Sequence, residues 1–211
     1  MAKKLSQELE RYFFKEERPD KVKLGEIFSL AGERLFGFLF VILALPSALP
    51  IPAPGYSIPF GILMFLLAIQ LIVGRQRPWL PSGMMNRSMK LSQAQGVVKA
   101  GIPWLRRIEA VSRPRISYIC ASFPGRVIIG SAIALMSISM MIPIPGTNTL
   151  PAMGIFVTGF GLLEDDGVIS LGGLFVCLLG GILTTLILIL GVEAVQTLID
   201  FLKNWLGSII S

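Results

Sequence analysis

The chain has 211 residues, 53% of them hydrophobic and only 15% charged, against about 25% charged in an average soluble domain. No Lys, Arg, Asp or Glu occurs from Leu35 to Gly74, from Val127 to Leu163 or from Gly167 to Val192. Charge-free apolar runs of roughly 18 residues or more are membrane-embedded, so the expected class is an all-α integral membrane protein. The lack of histidine excludes His-based triads, His metal sites and imidazole proton switches.

Residues 1–31 are charged and lack the apolar core of a cleaved signal peptide. Leu5, Leu9 and Phe13 recur at helical spacing beside Tyr12, with Lys3, Lys4, Glu8, Arg11 and Lys15 supplying charge. This pattern predicts an amphipathic helix on the membrane surface, ended by Pro19.

Residues 32–74 form the first membrane unit. Its charge-free block of 40 residues is too long for one ordinary span and is interrupted at Pro46, Pro50, Pro52, Pro54 and Pro59, with Gly55 among them. Proline removes a backbone donor and resists helix interiors, so two apolar helical pieces joined by a non-helical turn are expected. Residues 125–166 repeat the design around Pro143, Pro145, Gly146, Asn148 and Pro151. A shift of 93 positions lays Gly32 on Gly125, Gly37 on Gly130, Pro50-Ile51-Pro52 on Pro143-Ile144-Pro145, and Gly61-Ile62 on Gly154-Ile155. This self-similarity points to a duplication. The pieces are short: 15 residues from Leu35 to Leu49 make about 22 Å of helix, against a hydrocarbon core of about 30 Å. Re-entrant hairpins and tilted hairpins that barely cross both fit that length.

Between the units, residues 75–124 form a basic linker. Eighteen of the 19 Lys and Arg residues lie at or before Arg126, and the positive-inside rule places the N-terminus and this linker in the cytoplasm. Basic flanks of this kind are topology signals, so no nucleic-acid partner is expected. Without a clear apolar segment in the linker, both hairpins enter from the same side. An inverted repeat would require Ile102 to Phe123 to cross with Arg106, Arg107, Glu109, Arg113 and Arg115 aboard, which is costly. Residues 167–192 read as a complete transmembrane helix and 193–211 as an amphipathic C-terminal helix. Cys120 and Cys177 lie too far apart in sequence for metal-type spacing, and nothing supports a disulfide between them.

Non-helical backbone at membrane depth must face protein or water, and paired broken helices aim their ends inward. The candidate ion pathway is therefore Pro50, Pro52, Gly55, Tyr56, Ser57, Pro143, Pro145, Gly146, Thr147, Asn148 and Thr149. Gln70, the lone carboxamide of its apolar helix, either joins that passage or bonds between helices. Arg75, Arg126, Glu164, Asp165 and Asp166 are candidate mouth charges, since carboxylates concentrate cations.

The ordered motifs resemble the ExoD family of membrane proteins. They are Arg34 with Gly37, Leu45-Pro46, Pro50-Ile51-Pro52, Gln70-Leu71, Gly74-Arg75, Pro78-Trp79-Leu80-Pro81, Arg113-Pro114-Arg115, Pro143-Ile144-Pro145, Asn148, Pro151-Ala152 and Asp166-Gly167. Asp165 stands where similar sequences lead one to expect a basic residue. The resemblance implies a link to exopolysaccharide synthesis and to alkaline tolerance, without implying a reaction.

Two readings follow. The leading one is a small inner-membrane (plasma-membrane) ion transporter or channel, working as a homo-oligomer, with a dimer favoured. Its partners would be the lipid bilayer and small inorganic ions. The other is a non-enzymatic component of an exopolysaccharide assembly complex. No catalytic constellation, cofactor or metal is expected: Glu164, Asp165, Asp166 and Glu193 do not form a paired acid–base site.

Overall fold

The computed structural model describes residues 5–15, 19–48, 57–111, 114–142, 148–191 and 197. In chain order these form α1 (Leu5–Glu10) continued by a π turn (Arg11–Lys15), β1 (Lys21–Lys23), α2 (Leu24–Ala31) with a 3-10 turn (Gly32–Arg34), α3 (Leu35–Ala48) and α4 (Ser57–Ile72). They continue with α5 (Ser82–Met85), β2 (Ser88–Lys90), α6 (Leu91–Val111), α7 (Tyr118–Ala121), α8 (Phe123–Met141), α9 (Thr149–Glu164) and α10 (Gly167–Leu190). The charge-free blocks hold α3 and α4, α8 and α9, and α10, so each of the first two carries two separate helices.

The prolines at the helix ends are tolerated for a physically simple reason. Pro46 lies inside α3, in its last turn, and Pro59 lies in the first turn of α4. A first-turn proline gives up an amide that has no intrahelical acceptor in any case. Neither residue interrupts its helix. The segments holding Pro50, Pro52, Pro54, Pro143 and Pro145 lie outside the described residues.

Every helix of the charge-free blocks is apolar on both faces. In α4, Gly61, Met64, Ala68 and Leu71 are buried, while Ile62, Leu66 and Ile69 form an exposed stripe at the same helical spacing, continued by Val73 just past the helix end. In α10, Val168, Leu171, Phe175, Leu178 and Ile182 form another. A water-facing helix would carry polar residues there; one apolar all round belongs in a hydrocarbon environment. The 19-residue α8 and 24-residue α10 are long and apolar enough to cross a bilayer, with mean hydropathy 1.5 and 2.6, whereas α3, α4 and α9 are apolar but shorter.

The hairpins interlock by exchange. α3 packs mainly on α9, and α4 on α8, so the first helix of one hairpin takes the second helix of the other. Gly37 and Gly130, equivalent by the 93-residue shift, sit at these two crossings. A Cβ on Gly37 would lie 2.4 Å from the Leu163 nitrogen and 2.6 Å from the Gly159 carbonyl oxygen, and one on Gly130 would lie 2.7 Å from Ile72 Cγ1. The start of α3 thus meets the end of α9, and the start of α8 the end of α4, making both pairs antiparallel. α10 runs antiparallel to α9, with Gly161 against Ser170 and Gly154 against Cys177. α8 runs parallel to α10, with Met136 against Gly180 and Ser139 against Thr184, so the starts of α3, α8 and α10 share one end of the bundle and α3 and α8 run in the same direction.

The amphipathic segment at residues 5–15 is not a separate surface helix. Leu9, Tyr12 and Phe13 are buried, because α1 and the π turn pack against α6. Gln95 Nε2 donates to the Phe13 carbonyl at 2.7 Å, Arg106 pairs with Glu10, and Tyr12 donates to Glu26 at 2.7 Å. β1 and β2 add a short antiparallel ladder that pairs Val22 with Met89. The predicted C-terminal helix over 193–211 lies, apart from residue 197, outside the described residues.

Candidate functional site

The two ends of the bundle have different chemistry. At the turn end, Ser57 opens α4 and Asn148 immediately precedes α9. An asparagine at this position normally caps its own helix, but the Asn148 side chain makes no cap bond. Instead its Nδ2 donates to Ser57 Oγ at 2.8 Å, joining the residues that follow the two proline-rich segments. Thr149, half-buried, follows directly as the first residue of α9.

Two oxygens at this end have no hydrogen-bond partner among the described residues: Asn148 Oδ1 and Ser47 Oγ. Ser47 is 4% exposed and continues the inner stripe Gly37, Phe40, Ala44 that faces α9. Antiparallel packing of α3 on α9 puts it within about one helical turn of the level of Asn148. A buried oxygen left without a donor costs about 1–3 kcal/mol. A further hydroxyl pair, Ser139 with Thr184 at 2.7 Å, ties α8 to α10.

The other end is charged. Arg126 donates to the Arg75 carbonyl at 2.7 Å, and its guanidinium lies 5.9 Å from the Phe36 ring centroid. Gln70 receives the Trp79 amide proton on Oε1 and returns a bond from Nε2 to the Trp79 carbonyl at 3.4 Å. Asp166 is buried and caps α10, its Oδ1 accepting from Val168 N at 3.0 Å and Ile169 N at 3.3 Å. Asp165 takes the left-handed conformation (φ 53°) at the end of α9. Its carbonyl accepts from Ser117 Oγ at 3.1 Å, and Gly167 N donates to the Arg115 carbonyl at 2.7 Å. Glu164, half-buried, ends α9 beside them. Cys120 is buried here against Ser170 at 3.3 Å, and desolvation pushes its thiol pKa up despite that hydroxyl. Both cysteines are free.

Of the predicted pathway residues, the structure brings Ser57, Asn148 and Thr149 to one end. Gln70 stands 13 residues along α4 from Ser57, about 20 Å away. It sits at the charged end with Arg75, Arg126, Glu164, Asp165 and Asp166. Pro50, Pro52, Gly55, Tyr56, Pro143, Pro145, Gly146 and Thr147 lie outside the described residues. Sequence reasoning missed Ser47, whose signal was a hydroxyl on the small-residue stripe of an apolar helix. Among the described residues no group of three His, Cys, Asp or Glu is placed to hold a metal.

A family model described as "Exopolysaccharide synthesis, ExoD" matches residues 5–186. An uncharacterized protein of Synechocystis sp., slr1875, is 54% identical over 203 residues, which is 96% of this chain and 96% of the relative. Protein ExoD of Rhizobium meliloti is 28% identical over 163 residues, 75% of this chain and 67% of its own length. No solved structure matches the chain.

Proposed function

The chain belongs to the ExoD family, and from that premise we propose that it is a small non-enzymatic ion transporter or channel of the inner membrane. The observation that carries this reading is the Asn148–Ser57 hydrogen bond, which joins the flanks of the two turns. The oxygens of Asn148 and Ser47, which have no partner among the described residues, are neutral, hard ligands of the kind that replace a cation's hydration shell.

Helix length supports the same reading. The 14 residues of α3 and 16 of α4 and α9 make about 21–24 Å of helix, less than the roughly 30 Å hydrocarbon core. Three of the four hairpin helices thus fall short of that thickness, α8 alone being long enough to cross, and on this reading the short arms hold the turns within the bilayer, where irregular backbone requires protein or water around it. A second copy of the chain completes the wall of the passage. The link to exopolysaccharide synthesis is then indirect, through the pH or salt balance on which polymer production depends. Liposomes holding the purified chain should show protein-dependent proton or alkali-cation flux, reduced at least tenfold by Asn148→Ala. Silence across several ions and pH values, with the protein folded and inserted, would refute it.

The family description favours a second reading, a non-catalytic part of an exopolysaccharide assembly complex. The packed layer of α1 and α6 would be the docking surface. Gentle extraction and pull-down separates the two: recovery of polymer-synthesis proteins supports the second, and flux from the isolated chain the first.

A further inference from the structure

Three aromatic side chains are left exposed at the charged end: Trp79 (63%), Tyr118 (73%) and Phe123 (62%). All three are anchored there. Trp79 is held through its backbone by Gln70 at the end of α4. Phe123 opens α8 and lies over Gly74, its Cε2 within 3.1 Å of where a Cβ on that glycine would stand. Tyr118 opens α7, whose Cys120 touches the start of α10. Exposed Arg75, Arg77 and Arg115 lie on the same segments, with Arg126 inside the cluster. The apolar stripe of α4 rises from this rim through Val73, Ile69, Leu66 and Ile62.

A soluble surface gains nothing from three exposed rings. At a bilayer boundary, aromatic side chains sit at headgroup level, and arginines beside them meet phosphates. We propose that this rim is a binding surface for anionic phospholipid headgroups, with Arg75, Arg77 and Arg115 contacting the phosphates and Trp79, Tyr118 and Phe123 lying among the upper acyl chains. The exposed stripe of α4 selects a lipid over a soluble anion, because the acyl chains cover what the arginines alone would leave bare. This surface does not depend on whether the opposite end passes ions.

The test uses the full chain with Trp104→Phe and Trp205→Phe, leaving Trp79 as sole tryptophan, in mixed phosphatidylglycerol and phosphatidylcholine liposomes. One lipid at a time is brominated on its acyl chains, and quenching of Trp79 emission is read. Brominated phosphatidylglycerol should quench preferentially at equal mole fraction, and Arg75→Gln with Arg77→Gln should reduce that preference fivefold or more, at about 1 kcal/mol per basic residue near an anionic surface. Raising salt should weaken it in the parent chain. Equal quenching by both lipids, no quenching by either, or no response to the arginine changes would overturn the proposal. Loss of the preference with inorganic phosphate, but not with chloride at equal ionic strength, would make this a soluble-anion site instead. If the tryptophan variants fail to fold, native mass spectrometry of the unaltered chain decides. Selective retention of phosphatidylglycerol supports the proposal, and equal retention of both lipids sinks it.

Discussion

The Asn148 carboxamide donates to the Ser57 hydroxyl across 91 positions of sequence, fastening the first residue of α4 to the residue that precedes α9. A double-mutant cycle of Asn148→Ala and Ser57→Ala should give a coupling of about 0.5–1.5 kcal/mol, read by chemical unfolding in detergent. Independent, additive effects would mean that the two hairpins are not joined there.

The crossing glycines make a second prediction. Gly37→Ala and Gly130→Ala each push a methyl into a facing helix and should destabilise the protein by about 1–3 kcal/mol or more. Gly172→Ala is the control: nothing stands within 4 Å of its added Cβ, so it should be neutral or stabilising, by up to about 1 kcal/mol, as for alanine replacing glycine in a helix interior.

Asp166 separates a capping role from a cation-attracting one. Its carboxylate accepts two amide protons at the start of α10 while buried. Asp166→Ala should therefore cost about 0.5–2 kcal/mol, and Asp166→Asn, itself a good cap, much less. Ion flux in Asp166→Asn liposomes should remain near the parent's. A loss of flux with unchanged stability would give the charge itself a functional part.

Burial raises the Cys120 pKa, so the reactive thiolate is scarce where a free cysteine, with pKa about 8.5, would already be ionised. Alkylation of Cys120 in the folded protein should reach half its limiting rate at higher pH than in the unfolded chain. Coincident profiles would mean that the thiol is accessible and that α9 and α10 do not cover it.

The sequence makes the long helices legible through where charge is absent: each charge-free block holds helices, and the family resemblance carried by the ordered prolines and glycines agrees with the match over residues 5–186. The interiors of the blocks were harder to read. Pro46 falls within the expected piece Leu35–Leu49 and occupies the last turn of α3; a proline's effect depends on its distance from the helix end, which composition does not reveal. The stripe of Leu9 and Phe13 correctly signalled an apolar face, but an amphipathic pattern does not say whether lipid or another helix covers it; here α6 does. Gln70 and Asp166 were marked by polarity within apolar surroundings. Their contacts, the Trp79 backbone and the first amides of α10, are tertiary and capping arrangements that polarity alone does not distinguish from a passage. Asn148 and Ser57 were both marked, but their direct pairing depends on how two hairpins distant in sequence dock.

The account rests on the turn ends meeting inside the bilayer and facing water there. The most direct measurement is electron paramagnetic resonance power saturation of a spin label on Thr149→Cys in liposomes, with Cys120→Ser and Cys177→Ala removing the native thiols. The predicted result is a label deep in the hydrocarbon region that is nevertheless relaxed by a water-soluble nickel chelate as strongly as by oxygen. A label at or beyond the headgroups, or a deep label relaxed by oxygen alone, would contradict it.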